Sequence, residues 1–151
     1  MKKALVGMMV CAFVASFAVN AWSIGSADEA KAMVDKAIAY VKANGKDKAF
    51  AEVDNQKGKF VKEDLYVWIS DMSGLILAHG ANEKLIGKDV SPLKDSDGKF
   101  FIKEIIEGAK TKGSGWVDYH WVNPVTKEIE KKSTYFKKDG DMIYACGIYK
   151  K

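Results

Sequence analysis

Between Gly115 and Phe136 the chain carries its tightest constraint. Trp116, Tyr119 and Trp121 fall in one strand-like run, Asn123-Pro124 breaks it, and Glu130 to Phe136 makes a second run. Aromatic and β-branched residues leading into an Asn-Pro turn predict a hairpin, not a helix. Period-two alternation places Val117, Tyr119 and Trp121 on one side and Trp116, Asp118 and His120 on the other. The returning run holds Lys131, Lys132, Ser133, Thr134 and Tyr135, a polar set to face two tryptophans. One reading is a solvent-exposed edge hairpin whose lysines block sheet-to-sheet association. The other is a cradle whose rings are walls and whose lysine and hydroxyl groups hold a small anion. The stretch by itself leaves both open.

The first residues are set aside from the fold. Met1-Lys2-Lys3 is a positive start, Ala4 to Val19 is almost unbroken apolar sequence, and Val19-Asn20-Ala21 supplies small residues at a cleavage position. This predicts a secretory leader over residues 1–21 and a mature domain over 22–151, periplasmic or secreted. A retained membrane anchor is the alternative, because the apolar run is only slightly short for a span. Cys11 follows Val10, which does not suit a lipid-attachment site. The mature length suits one domain with one core.

Charge narrows the function. Removing Lys2 and Lys3 takes the formal net charge from +4 to +2, and the remaining charges are scattered without a basic stripe. No nucleic-acid footprint is present. Every basic residue is Lys and none is Arg, so a bidentate guanidinium clamp on a carboxylate is unavailable. Cys146 is the one cysteine outside the leader. It has no partner for an internal disulfide, and its strand-like setting reads as a buried thiol.

From Asp28 to Ala43, apolar residues recur at three and four positions, which predicts a helix ended by Asn44-Gly45. Ser26 is its expected N-cap and Glu29 the box partner. Lys46 to Val53 predicts a short second helix with Ala49, Phe50 and Val53 inward. Tyr66 to Ile69 is a strand, Asp71 to Gly74 a tight turn, and Leu75 to His79 the partner strand. Asn82 to Asp89 is a loop or single turn. Asp95-Ser96-Asp97-Gly98 has the look of a calcium loop, but Ile106 stands at its twelfth position and Gly98 comes too early. These residues read instead as the cap and lead-in of a helix whose stripe is Phe101, Ile102, Ile105, Ile106 and Ala109. The last strand, Met142 to Tyr149, puts Ile143, Ala145, Gly147 and Tyr149 on one face. The order predicts an α+β domain, about five antiparallel strands with the long N-terminal helix packed on the sheet.

The chain resembles the single Cache domains, PAS-like extracellular sensor modules of bacterial chemoreceptors and histidine kinases. The resemblance covers essentially the whole mature chain. It rests on Tyr66-Val-Trp-Ile with Asp71, Gly74 and Ala78-His79, then Leu85-Ile-Gly-Lys88 and Leu93 with Asp97-Gly98-Lys99. Trp116-Val-Asp-Tyr119, Trp121, Asn123-Pro124, Lys132, Tyr135 and Gly147-Ile-Tyr149 complete it. It implies a receiver for small organic acids such as acetate, propionate, lactate or pyruvate. It points to His79, Tyr119, Trp121, Lys132 and Tyr135 as pocket residues: Lys132 neutralises the carboxylate, Tyr135 donates a hydrogen bond, and Tyr119 and Trp121 enclose a short tail. Lys132 and Tyr135 have opposite strand parity, so both reach one pocket only through a bulge, a strand end or the long lysine stem. The family pattern has proline near position 131, where this chain has Lys131.

In receptors such a domain feeds a transmembrane helix and an output module, whereas here Lys150-Lys151 follows Tyr149 directly. The expectation is a free periplasmic domain, monomer or weak homodimer, without its own output. Its partner would be a membrane receptor, a histidine kinase or a transporter component. Binding without chemistry leads. An enzyme has only His79, an acid and Lys132 to offer, with no nucleophile elbow or phosphate loop. Metal or haem binding has His79 and His120 as the only histidines, so no metal and no cofactor is expected. A structural or accessory protein without a ligand is the remaining alternative.

Overall fold

The structure, a computed structural model, describes residues 25–150. The expected leader and its cleavage position lie outside the described residues. Helix α1 runs Ala27–Asn44, and the capping box forms: Ser26 Oγ accepts from Glu29 N, while a Glu29 carboxylate oxygen accepts from Ser26 N. Such a cap is worth about 1 kcal/mol. Gly45, at φ +84°, ends α1 and opens α2, Lys46–Asp54. An L side chain rarely adopts that backbone, which explains a glycine between two helices in immediate succession.

Six strands follow the helix pair: β1 Val61–Lys62, β2 Leu65–Asp71, β3 Ile76–His79, β4 Ser114–Val122, β5 Ile129–Asp139 and β6 Met142–Lys150. Helix α3, Phe101–Thr111, precedes β4. The sheet is antiparallel in the order β1-β2-β6-β5-β4, with β3 also paired to β2. The β2–β3 turn is built on Asp71, whose Oδ1 accepts from the amides of Ser73, Gly74 and Leu75 at 2.8–3.0 Å. Burial pushes the Asp71 carboxyl up, but these bonds and the Ser73 hydroxyl hold it below its usual range.

Strands β2 and β6 are apolar on both parities, and the sheet is covered on both faces. Leu65, Val67, Ile69, Met142, Tyr144 and Cys146 pack with Ala30, Met33, Val34, Ala37 and Ile38 of α1. Tyr66, Trp68, Tyr119, Ala145 and Tyr149 pack with Phe101, Ile102, Ile105, Ile106 and Ala109 of α3. The sequence pattern predicts cover for one face, by the N-terminal helix, and the structure adds a second. The second layer is α3 and the segment before it, which the alternation of β6 alone does not reveal. Cys146 is fully buried, and burial pushes its thiol up to about 12, which keeps it out of nucleophilic chemistry.

Two local expectations are corrected. Phe100 occupies the N-cap of α3 and makes no side-chain cap, so Asp95 to Gly98 do not cap that helix. Asp95 organises the loop instead, accepting from Asp97 N and Lys99 N through Oδ1 and from His120 N through Oδ2. The lysines of β5 do not guard an edge either, because β5 lies between β4 and β6. The edge is β4, where Lys99 Nζ donates to Asp118 O and Asp95 accepts from His120 N. These contacts occupy backbone groups that an incoming strand would use.

Candidate functional site

The site grows from one position of the hairpin. Lys132 is paired with Tyr119 of β4 on one side and Tyr149 of β6 on the other. Period two turns all three toward α3, where Lys132 is only 1% exposed. Its Nζ donates to Tyr66 Oη at 2.6 Å and Tyr149 Oη at 3.2 Å. The ammonium also lies 4.1 Å from the Tyr66 ring centroid and 4.7 Å from that of Tyr149, within cation–π range. Tyr149 Oη donates onward to Val122 O at 2.8 Å, and Tyr119 Oη pairs with Thr134 Oγ1 at 2.9 Å. No carboxylate touches Lys132 among the contacts of the described residues, so phenol oxygens are its polar partners. Burial drives its pKa from the ordinary lysine value down to about 7, with Cys146 and Asp64 opposing the shift from a distance.

Beside this cation lies an aromatic chamber. Phe101 stacks on Tyr119 at 4.0 Å and 9°, and Trp121 meets Phe101 at 5.1 Å. Tyr66, Trp68, His79 and Leu85 complete the wall of a cavity of about 20 Å³. That volume holds about one water. Tyr66 both lines the chamber and accepts the hydrogen bond of the Lys132 ammonium.

His79 ends β3 opposite Trp68. Its Nδ1 accepts from Ala81 N at 3.1 Å and Asn82 N at 3.0 Å, so the hydrogen-bond network assigns the ring proton to Nε2. Burial first, and the Lys132 charge second, lower its pKa to about 3. The imidazole is therefore neutral at physiological pH and offers a donor rather than a charge. Asp54 Oδ1 fixes the strand end by accepting from His79 N at 2.9 Å.

Of the residues selected from the sequence, His79, Tyr119 and Trp121 meet at the chamber, and Lys132 is joined to it through its hydrogen bond to Tyr66. Tyr135 does not join them. The β4–β5 and β5–β6 ladders run without a register shift, so Tyr135 keeps the parity opposite to Lys132. It lies on the α1 face, half-buried, 5.3 Å from Trp116, with Lys31 Nζ 5.9 Å from its ring. Lys131 is exposed and borders a polar groove of about 420 Å³ with Asp118, His120 and Lys150, whose lining also takes in Tyr119 and Lys132.

Sequence reasoning passed over Tyr66, Phe101 and Tyr149. Tyr149 was visible as the partner of Gly147 on one face of β6, but nothing local said that β2 would lie beside β6 and bring Tyr66 to the same point. Asp95, Asp97 and His120 could place one ligand atom each within 4.8 Å of one another. The Asp95 oxygens are already engaged by three backbone amides, and His120 Nδ1 lies 2.9 Å from Asp97 Oδ2. This arrangement is accounted for by the loop that seals the β4 edge.

The sequence family described as Single Cache domain 2 matches residues 19–143. Over 88 residues the chain is 33% identical to methyl-accepting chemotaxis protein McpP of Pseudomonas putida, covering 57% of this chain and 16% of that protein's length. The crystal structure of a methyl-accepting chemotaxis protein from Vibrio parahaemolyticus is similar at a TM-score of 0.68 and 25% identity, covering 81% of this chain and 86% of that one. A Cache chemosensory domain, described as the structural basis for carboxylic acid recognition, gives a TM-score of 0.66 at 27% identity, covering 82% and 88%.

Proposed function

The chain belongs to the single Cache domain 2 family, and on that premise we propose that it is a periplasmic receiver for a short-chain monocarboxylate, bound between Lys132, Tyr66 and His79. Small-molecule sensing without catalysis is the function of the family. The observation that carries the acid reading is Lys132, a fully buried amine with no carboxylate partner among the described residues, beside an aromatic chamber. Burying an unpaired charge is costly, and a carboxylate supplies the missing counter-charge. Neutral His79 adds an uncharged donor, and Tyr119, Trp121 and Phe101 wall a short apolar tail. The carboxylic acid recognition described for the 27%-identical Cache domain supports the same ligand class. The downstream partner would be a signalling protein of the chemotaxis type, in keeping with the similarity to McpP. Export with cleavage near Trp22 rests on the leader-like residues 1–21; protein recovered in the membrane fraction with Met1 intact would contradict it.

The experiment is calorimetric titration of the wild type, Lys132→Met and Lys131→Met with acetate, propionate, lactate and pyruvate. Lys132→Met is expected to fold and to lose about 2–5 kcal/mol of acid binding, as for truncation of one partner of a buried charged contact. Lys131→Met removes the same charge from the exposed face and is expected to change binding by less than about 1 kcal/mol. Equal small losses would mean that general positive potential attracts the acid. A ligand-free accessory domain is the second reading, and the observation favouring it is the cavity volume of about 20 Å³. Absence of binding across the panel by folded, ligand-stripped wild type would select it.

A further inference from the structure

Gly147 is buried, and its φ is not positive, so its backbone is one that any residue could adopt. The requirement for glycine lies in space. A β-carbon at 147 would run into Lys132 Cε, approach Thr134 Oγ1 to 2.5 Å and lie 3.2 Å from Lys132 Cγ. Thr134 is the β5 partner of Gly147, and Tyr66 is the residue beyond the Val67–Cys146 pair of β2 and β6. The lysine stem thus leaves β5, passes over the bare α-carbon of Gly147 on β6, and delivers its ammonium to Tyr66 on β2. The adjacent residues on this face of β6, Ala145 and Tyr149, both carry side chains.

We propose that Gly147 is the positioning residue of the buried cation, opening the crossing by which Lys132 reaches Tyr66 of the chamber wall and so fixing where a carboxylate finds its counter-charge. The ligand part of this inference rests on the reading of Lys132 given above; the positioning part does not. With Gly147→Ala, the stem is forced off its path toward the outer end of β5, away from Tyr66 Oη. The ammonium then regains water, and acid affinity falls with no change in the charge of the protein.

The test follows the Lys132 side-chain signal by NMR in lysine-labelled protein, assigned by its loss in Lys132→Met, with acetate and propionate titrated in parallel. In folded Gly147→Ala the Lys132 titration is expected to move at least two pH units toward the ordinary lysine value, and acid affinity to fall at least tenfold. Gly115→Ala is the matched control, because its β-carbon would crowd Phe136 Cζ at 3.0 Å and touch no part of Lys132. It is expected to leave both readouts unchanged. A folded Gly147→Ala with an unaltered Lys132 titration overturns the proposal.

Should Gly147→Ala not fold, Gly147→Ala/Lys132→Ala decides. Removing the stem should restore cooperative unfolding if the lysine is what the new methyl meets. Persistent failure to fold would assign the glycine to the Thr134 contact and overturn the positioning role. If wild type binds no short acid yet Gly147→Ala shifts the Lys132 titration, the ligand reading falls and the positioning role stands. If binding depends on Lys132 but Gly147→Ala moves neither readout, the positioning role alone falls.

Discussion

The two faces of one sheet, built from alternate residues of the same strands, have been put to different uses. Beneath α1, Leu65, Val67, Ile69, Met142, Tyr144 and Cys146 meet a regular apolar stripe. Opposite, Tyr66, Trp68, Tyr119, Lys132 and Tyr149 meet the shorter α3 and the irregular segment before it. A long helix can press an unbroken ridge onto the sheet and close that face. A roof made of a short helix and loop residues such as Leu85, Val90 and Leu93 leaves a seam, and the chamber lies there. The lesson is a division of labour by strand parity: both faces bury apolar residues, and one of them also holds a charge that weakens the fold until something pairs with it.

The largest expected effect breaks the stabilising face. Ile69→Ala empties a fully buried position against α1 and is expected to cost about 2–5 kcal/mol in denaturant unfolding. Acid affinity of the folded protein should stay within about twofold. A parallel loss of affinity would show that the two faces are not independent.

The next effect concerns the charge itself. Lys132 has a folded pKa of about 7 against an ordinary value of 10.5. Between about pH 7 and 10 the unfolded chain therefore binds more protons than the folded one, and stability rises with pH, by at most about 1.4 kcal/mol per unit from this group. Below about pH 7 the burden of the buried ammonium is fully present. Lys132→Met should lack this slope and be the more stable protein at pH 6, as measured by urea unfolding across the window. A flat wild-type profile would mean that the ammonium is solvated. His79, with its pKa lowered to about 3, acts in a separate window: stability falls as pH drops from about 6.5 toward 3, because the unfolded imidazole protonates first.

The smallest effect sharpens the boundary between the faces. Tyr135→Phe removes a hydroxyl on the α1 face, beside Trp116, and acid affinity should change by less than about twofold. A tenfold loss would mean that Tyr135 turns into the chamber despite the unbroken ladder.

Local chemistry made much of the fold legible. The Ser26–Glu29 box, the stripe of α3, the Asp71 turn and the inward parity of Val117 and Tyr119 each depend on residues within a few positions of one another, and each appears where the pattern put it. The same parity rule separated Lys132 from Tyr135 and offered three ways of reuniting them; the continuous β4–β5–β6 register takes none.

What the sequence determined alone was therefore the order of the main elements, the cap of α1 and the face each strand residue takes, because a backbone period of 2.0 or 3.6 is written locally; the short β1 and the true N-cap of α3 were not among them. Only the tertiary structure decided that β2 lies beside β6, that a second layer closes the other face, and that Lys132 crosses Gly147 to end at Tyr66. A long side chain reaches across neighbouring strands, and which strands are neighbours is settled by packing between segments far apart in the chain, where no local period can record it.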